Sequence, residues 1–246
     1  MWKFIGYIIL CTTIIGYSCQ HKTNDIITES AKDNKIAELI KNHGGLEAYR
    51  SIESIRYVKK NTLFDTSGSL EKSWIEHHYY QFNNGVEGSI RWSDEVGNYD
   101  YHIENNRAFN LTDSLTAEST IRSKFDASLF VLLQPFKMII ESDSLIIVDS
   151  VLFENEYVVD FMPYYSGAND QWHFLVKPGS NTVVANWVRH QDRYSLIINE
   201  SYHTQYPVLL HHQRKSYFTD SLMNIKYLRA AYEYSDYEVI MTSDSK

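Results

Sequence analysis

Apolar positions recur along this chain with two different periods. Ile36, Leu39 and Ile40 fall on one helical face, with Lys35, Glu38 and Lys41 opposite. The pattern predicts a helix that stops at His43-Gly44-Gly45, because glycine accepts the left-handed conformation that ends helices. Leu46, Tyr49 and Ile52 suit a second short turn. From Ser54 the period becomes two, so Ile55, Tyr57, Lys59, Asn61 and Leu63 share one strand face. Asp65-Thr66-Ser67-Gly68 is a turn, and the next strand alternates Trp74, Glu76, His78, Tyr80 and Phe82 against Ile75, His77, Tyr79 and Gln81. Asn83-Asn84-Gly85 signals a hairpin, since Asn and Gly tolerate positive φ. Strands at about 86–93, 97–103 and 106–111 follow at the spacing of a meander.

Residues 114–142 break that rhythm. Leu115, Ile121, Phe125, Leu129, Leu132, Leu133 and Phe136 lie near helical spacing, and Pro135 must kink or divide the segment. Period two then resumes at 144–152, 156–162, 171–177, 182–190, 195–203, 208–219 and 224–231, with a turn at Pro178-Gly179-Ser180-Asn181. The expected fold is mainly antiparallel β with some α. About ten strands cannot stay flat and open as twist accumulates. The sheet is therefore expected to curl into an incomplete barrel, its concave face covered by the N-terminal helix and the helical insertion.

The first residues follow neither pattern. Met1-Trp2-Lys3 is a basic start, and residues 4–15 form an apolar run too short to span a membrane comfortably as a helix. Ser18-Cys19 stands where polarity changes abruptly to Gln20-His21-Lys22. This junction resembles a bacterial lipobox, in the loose form found in Bacteroidota lipoproteins. Ser18 fits the pattern, whereas Gly16 and Tyr17 depart from it. The resemblance implies a signal peptide over 1–18, diacylglycerol on Cys19 and a stable membrane anchor. Residues 20–34 are polar and aperiodic, so 19–34 is expected to be a flexible tether and 35–246 a single domain. Gln20 after the cysteine, where sorting rules would place Asp for the inner membrane, points to the outer membrane and a domain facing the periplasm.

Charge and composition narrow the partners. A net charge of −8 argues against a nucleic acid held through phosphates. Both cysteines, Cys11 and Cys19, precede the domain, so it has no disulfide or thiolate metal site. Of 10 histidines, His77-His78 and His211-His212 are neighbours that a strand points to opposite faces, so neither pair chelates one ion. His173, His190 and His203 lie on different strands, and a metal-dependent hydrolase would need them to converge. No G-x-S-x-G, H-E-x-x-H, P-loop or G-x-G-x-x-G motif occurs.

The aromatic residues are the better lead. Trp74, Tyr80, Phe82, Trp92, Tyr99, Tyr101, Trp172, Phe174 and Trp187 are spread over many strands, and those on one face could line a concave apolar cavity or fill a solid core. The stretch 129–136, with Leu129, Leu133 and Phe136, could be its lid or a helix packed on the sheet.

The plan as a whole resembles the LolA/LolB-type lipoprotein-carrier fold, an incomplete barrel with an apolar interior lidded by helices. His43-Gly44-Gly45, Leu129-Phe130-Val131-Leu132-Leu133-Gln134-Pro135-Phe136-Lys137 and Asp170-Gln171-Trp172-His173-Phe174-Leu175-Val176 are similar to segments of uncharacterised Bacteroidota outer-membrane lipoproteins. The resemblance spans most of 35–235. It implies an acyl chain or other lipid held in the half-barrel without catalysis and without a cofactor. The alternative is a module that docks on an envelope protein through a tyrosine-rich face.

Overall fold

The computed structural model describes residues 29–82, 85–112 and 115–242. The expected signal peptide and Cys19 lie outside the described residues. Helix α1 (Glu29–Asn42) starts seven residues before the apolar repeat, which begins at Ile36. Ala31, Lys32 and Asp33 extend the helix of Ile36 and Leu39 toward the N-terminus, and Lys35 reaches Asp149 at 3.5 Å. The end of the expected tether is therefore helical. Gly44 (φ +114°) and Gly45 (φ +90°) stop α1. A Cβ on Gly44 would stand 2.3 Å from the Pro207 carbonyl oxygen, so only glycine allows this turn to meet the loop carrying Pro207.

Short helix α2 (Leu46–Arg50) leads into twelve strands: β1 (Ile52–Phe64), β2 (Leu70–Gln81), β3 (Glu87–Ser93), β4 (Asn98–Glu104), β5 (Arg107–Asn110), β6 (Ser144–Phe153), β7 (Glu156–Tyr164), β8 (Asp170–Lys177), β9 (Thr182–His190), β10 (Arg193–His203), β11 (Leu210–Thr219) and β12 (Ile225–Met241). All pairings are antiparallel, in the order β5-β4-β3-β2-β1-β12-β11-β10-β9-β8-β7-β6. The first and last strands are thus neighbours at the centre, and β5 and β6 are the two edges. The sheet is curled and does not close. Helices α3 (Glu118–Leu132) and α4 (Phe136–Glu141) form the link between the edges, so the connection itself crosses the concave side. Pro135 separates them, as its ring requires.

Each of the twelve strands overlaps a period-two segment of the sequence, and β12 runs ten residues beyond the expected end. The alternation after Ala231 is disturbed by a register shift opposite Arg56 and Val58, where Asp236 has φ +51°.

The helices bury their apolar faces in the concavity. Ile121, Phe125, Leu129 and Leu132 of α3, with Leu133 and Phe136, join Ile55, Tyr57, Tyr80, Ile90, Tyr101 and Tyr234 in one cluster. Leu39 of α1 and Met138 of α4 join Ile147, Phe161, Phe174 and Val183 in another. Each of these large side chains contributes roughly 1.5–3 kcal/mol when removed from water. A third cluster, Phe153, Val158, Leu175, Ala185 and Leu196, lies on the opposite, convex face.

Candidate functional site

Helix α3 divides the concave face unequally. On its β1–β5 side the contact is closed. The Phe125 ring stands edge-on to Tyr80 at 5.9 Å, and Tyr80 is wholly buried. Below them lies a buried ion cluster. The Glu76 carboxylate accepts hydrogen bonds from Trp74 Nε1 (3.0 Å), His78 Nε2 (3.0 Å) and Lys124 Nζ of α3, and Lys59 Nζ is 3.9 Å away. Burial alone would raise the Glu76 carboxyl, but the bond from His78 and the charges of Lys59 and Lys124 outweigh it and hold it well below the usual range. Burial lowers His78 to about 4 against the opposing pull of Glu76, so the ring is neutral and its Nδ1 accepts from the Tyr80 hydroxyl. The Glu76 carboxylate is buried beneath α3, and its bond to Lys124 pins the helix to β2.

On the β8–β11 side α3 touches the sheet through Phe130 and through the Val131 carbonyl, which accepts from His211 Nε2 at 3.0 Å, and leaves space beside these contacts. A groove of about 560 Å³ runs between Ala127, Phe130 and Val131 of the helix and Tyr165, just after β7, and Trp172 of β8, rimmed by Asp126, Lys137 and Glu141. It joins a wider cleft of about 1240 Å³, lined by Ser123 and Asp126 of α3, the loop 167–170, Trp172, His190, Gln191, Arg193, Ser195 and Phe218. Asp126 and Trp172 belong to both. Phe130 lies 5.4 Å from Trp172 and 6.1 Å from Phe174, at steep interplanar angles that favour edge contacts. The Tyr165 hydroxyl is buried without a hydrogen-bond partner. Burial, then the Glu141 charge, raises its pKa above the usual phenol value.

The aromatic residues expected to line a cavity are thus divided. Trp172 lies in the cleft. Tyr80, Phe174, Leu129, Leu133 and Phe136 are buried in the clusters and are not exposed to it. Phe82 is partly buried against the first cluster. Trp92 stacks on Tyr99 at 4.4 Å with the Lys124 ammonium 4.9 Å from its ring. Trp74 and Trp92 border a separate hollow of about 700 Å³ that also takes in Ile75, His77 and Arg91 from the convex face. Most of its lining, from Lys60 and Ile75 to Arg91 and Asp100, belongs to the convex face, so the hollow is not part of the concave site. Trp187 faces away from the cavity. The β8–β9 register sets it opposite His173, on the convex side, whereas Trp172 opposes Val188 and Phe174 opposes Asn186.

Sequence reasoning missed Phe130, Ala127 and Tyr165. The nearest signal was the apolar stretch 129–136, which contains Phe130. The histidines do not converge. His173 bonds Asp160 at 2.7 Å, His190 pairs with Asp170 at 2.9 Å, and His203 meets the Tyr234 carbonyl at 3.0 Å. Among the described residues no group of three or more His, Cys, Asp or Glu could hold a metal ion. Among the same residues no helix is long and apolar enough to cross a membrane.

No protein-family model and no curated protein matches the sequence. Among solved structures, a DUF1329 family protein from Desulfovibrio piger is similar at 9% identity and a TM-score of 0.48, over 84% of this chain and 92% of that one. An outer membrane lipoprotein-sorting protein domain from Vibrio parahaemolyticus is similar at 6% identity and a TM-score of 0.43, over 81% and 92%. Neither likeness supports the expected resemblance to Bacteroidota lipoproteins. At such low identities and scores the likenesses bear on neither ligand nor location.

Proposed function

We propose that this chain is an envelope lipoprotein that holds the apolar chain of an amphiphile in the cleft beneath α3, without catalysis, while lipid on Cys19 tethers it to the outer membrane facing the periplasm. One observation carries the reading. An apolar groove between Phe130, Tyr165 and Trp172 is continuous, through Trp172, with a wider cleft rimmed by polar groups. At about 560 Å³ the groove is within the size of small-molecule sites, commonly about 300–1,000 Å³. An apolar chain laid along it would gain roughly 2.5 kcal/mol per 100 Å² removed from water, before ordering costs.

Displacement of a fluorescent fatty acid tests the reading. Ala127 is exposed on the groove wall, so Ala127→Trp fills the groove without disturbing the core. We expect affinity to fall at least tenfold with little change in melting temperature. Unchanged affinity in this variant would remove the ligand from the groove. Failure of the wild type to bind any acyl chain would leave the docking module as the better account. The anchor has its own test: Cys19→Ser should abolish labelled palmitate incorporation and release the protein from the membrane fraction.

A further inference from the structure

Among the described residues, Lys59 of β1, Lys124 of α3 and Arg214 of β11 are buried or part-buried within the concavity and differ in their partners. Lys59 and Lys124 both approach Glu76. Arg214, 2% exposed on β11, forms no ion pair with any carboxylate among the described residues. Its Nε donates to Asn199 Oδ1 at 2.7 Å and its Nη2 to Asn186 Oδ1 at 2.9 Å. These neutral partners occupy two of the five N–H groups a guanidinium carries. Asn186 is wholly buried, and its Nδ2 has no partner. Isolated buried charge is costly, and proteins normally pair it. The buried guanidinium is therefore held by neutral groups and by no carboxylate among the described residues.

The strand register connects this point to the cleft. Ser195 and Phe218, both on the cleft wall, are cross-strand partners. Two residues further along the same face come Ile197 and Ser216, both half-buried, and two further come Asn199 and Arg214. Four residues of strand cover roughly 13 Å. From the other side, Asn186 is the cross-strand neighbour of Phe174, whose ring lies 6.0 Å from Trp172. The guanidinium therefore lies on the same sheet face as the cleft wall, beyond Ile197 and Ser216.

We propose that Arg214, with Asn186 beside it, binds the carboxylate of the amphiphile, which makes the ligand class a free fatty acid: its head on Arg214, its chain running out past Ile197 toward Trp172. This rests on the ligand-binding reading above. It adds the ligand's charge and orientation. The guanidinium offers a bidentate fork to a carboxylate, and the free Asn186 Nδ2 offers a further donor.

The test compares dodecanoate with methyl dodecanoate, titrated into the full-length protein purified without detergent, at pH 8. The wild type should bind the acid at least tenfold tighter than the ester. Arg214→Met should abolish that preference and leave ester affinity within twofold, while Arg214→Lys keeps part of it. Dodecanoate should raise the melting temperature of the wild type and not that of Arg214→Met. Ile197→Trp, which sets a large ring between Arg214 and the cleft wall and leaves Arg214 in place, should weaken acid binding at least tenfold and decides the matter if Arg214→Met does not fold. Equal affinity for acid and ester in the wild type, or a preference that survives Arg214→Met, would overturn the anchor and leave the apolar cleft standing. Binding of neither probe would overturn both.

Discussion

The two sides of α3 meet the same sheet and differ in what lies between. Toward β2 and β3 the helix presents Ile121, Phe125 and Lys124, and the sheet answers with Tyr80, Ile90 and Glu76. Rings and charges there are matched, and no space remains. Toward β8–β11 it presents Ser123, Asp126, Ala127 and Phe130, mostly small or polar, and the sheet answers with Trp172, Ser195 and Phe218. Small side chains facing large ones across a gap leave volume. One helix can therefore act as a fixed strut on one side and as the wall of a site on the other.

The largest effects should break the strut. Phe125→Ala removes a buried ring and should cost about 3–5 kcal/mol of unfolding free energy in chemical denaturation. A loss below about 1 kcal/mol would mean that the closed side is not closed. Glu76→Gln should cost about 2–3 kcal/mol, less than a fully buried pair because both lysines are partly exposed.

Acid sharpens the same contrast. The folded-state pKa values of His43 and His78 are about 4, and that of His211 is well below the ordinary value, in each case chiefly through burial. The unfolded chain takes up these protons near pH 6.5 and the folded protein does not. Stability should therefore fall as pH drops from about 6.5 toward 4, by up to about 1.4 kcal/mol per pH unit for each histidine still neutral. Glu76 adds to this lower down, because its folded carboxyl is depressed and its contribution is lost as pH falls below the unfolded value, about 4.3. Urea midpoints measured between pH 7 and pH 4 would show the slope. A flat profile would contradict the burial of these rings.

On the open side the order of effects reverses. Trp172→Ala should cost no more than about 2 kcal/mol in stability, since the ring is half-buried. It should nonetheless weaken acyl-chain binding at least tenfold in the displacement assay. The smallest change is expected on the convex face. Arg91→Ala breaks an exposed pair with Asp100 and should move stability by less than about 0.5 kcal/mol and binding not at all.

Much of the sheet was legible because alternation is a local property. Strand β9 has the expected bounds, and Ile55, Tyr57 and Asn61 share the buried face of β1 as their spacing demands. The site was less legible because it depends on which faces meet. Trp172 and Trp187 lie on neighbouring strands, and only their register reveals that they point oppositely. Arg214 and His211 are three residues apart, which a regular strand would place on opposite faces. Irregular pairing between Asn199 and Tyr202 brings both inward, where His211 meets the Val131 carbonyl of α3. Register and bulges are settled by long-range packing, and period two alone does not carry them.

The most direct test of the central claim is native mass spectrometry of the wild-type protein purified from a bacterial host without detergent, followed by lipid extraction. The cleft reading predicts close to one acyl-chain ligand per protein molecule, lost in Ala127→Trp. An apo mass that stays unchanged after incubation with fatty acid and with lipid vesicles would contradict it.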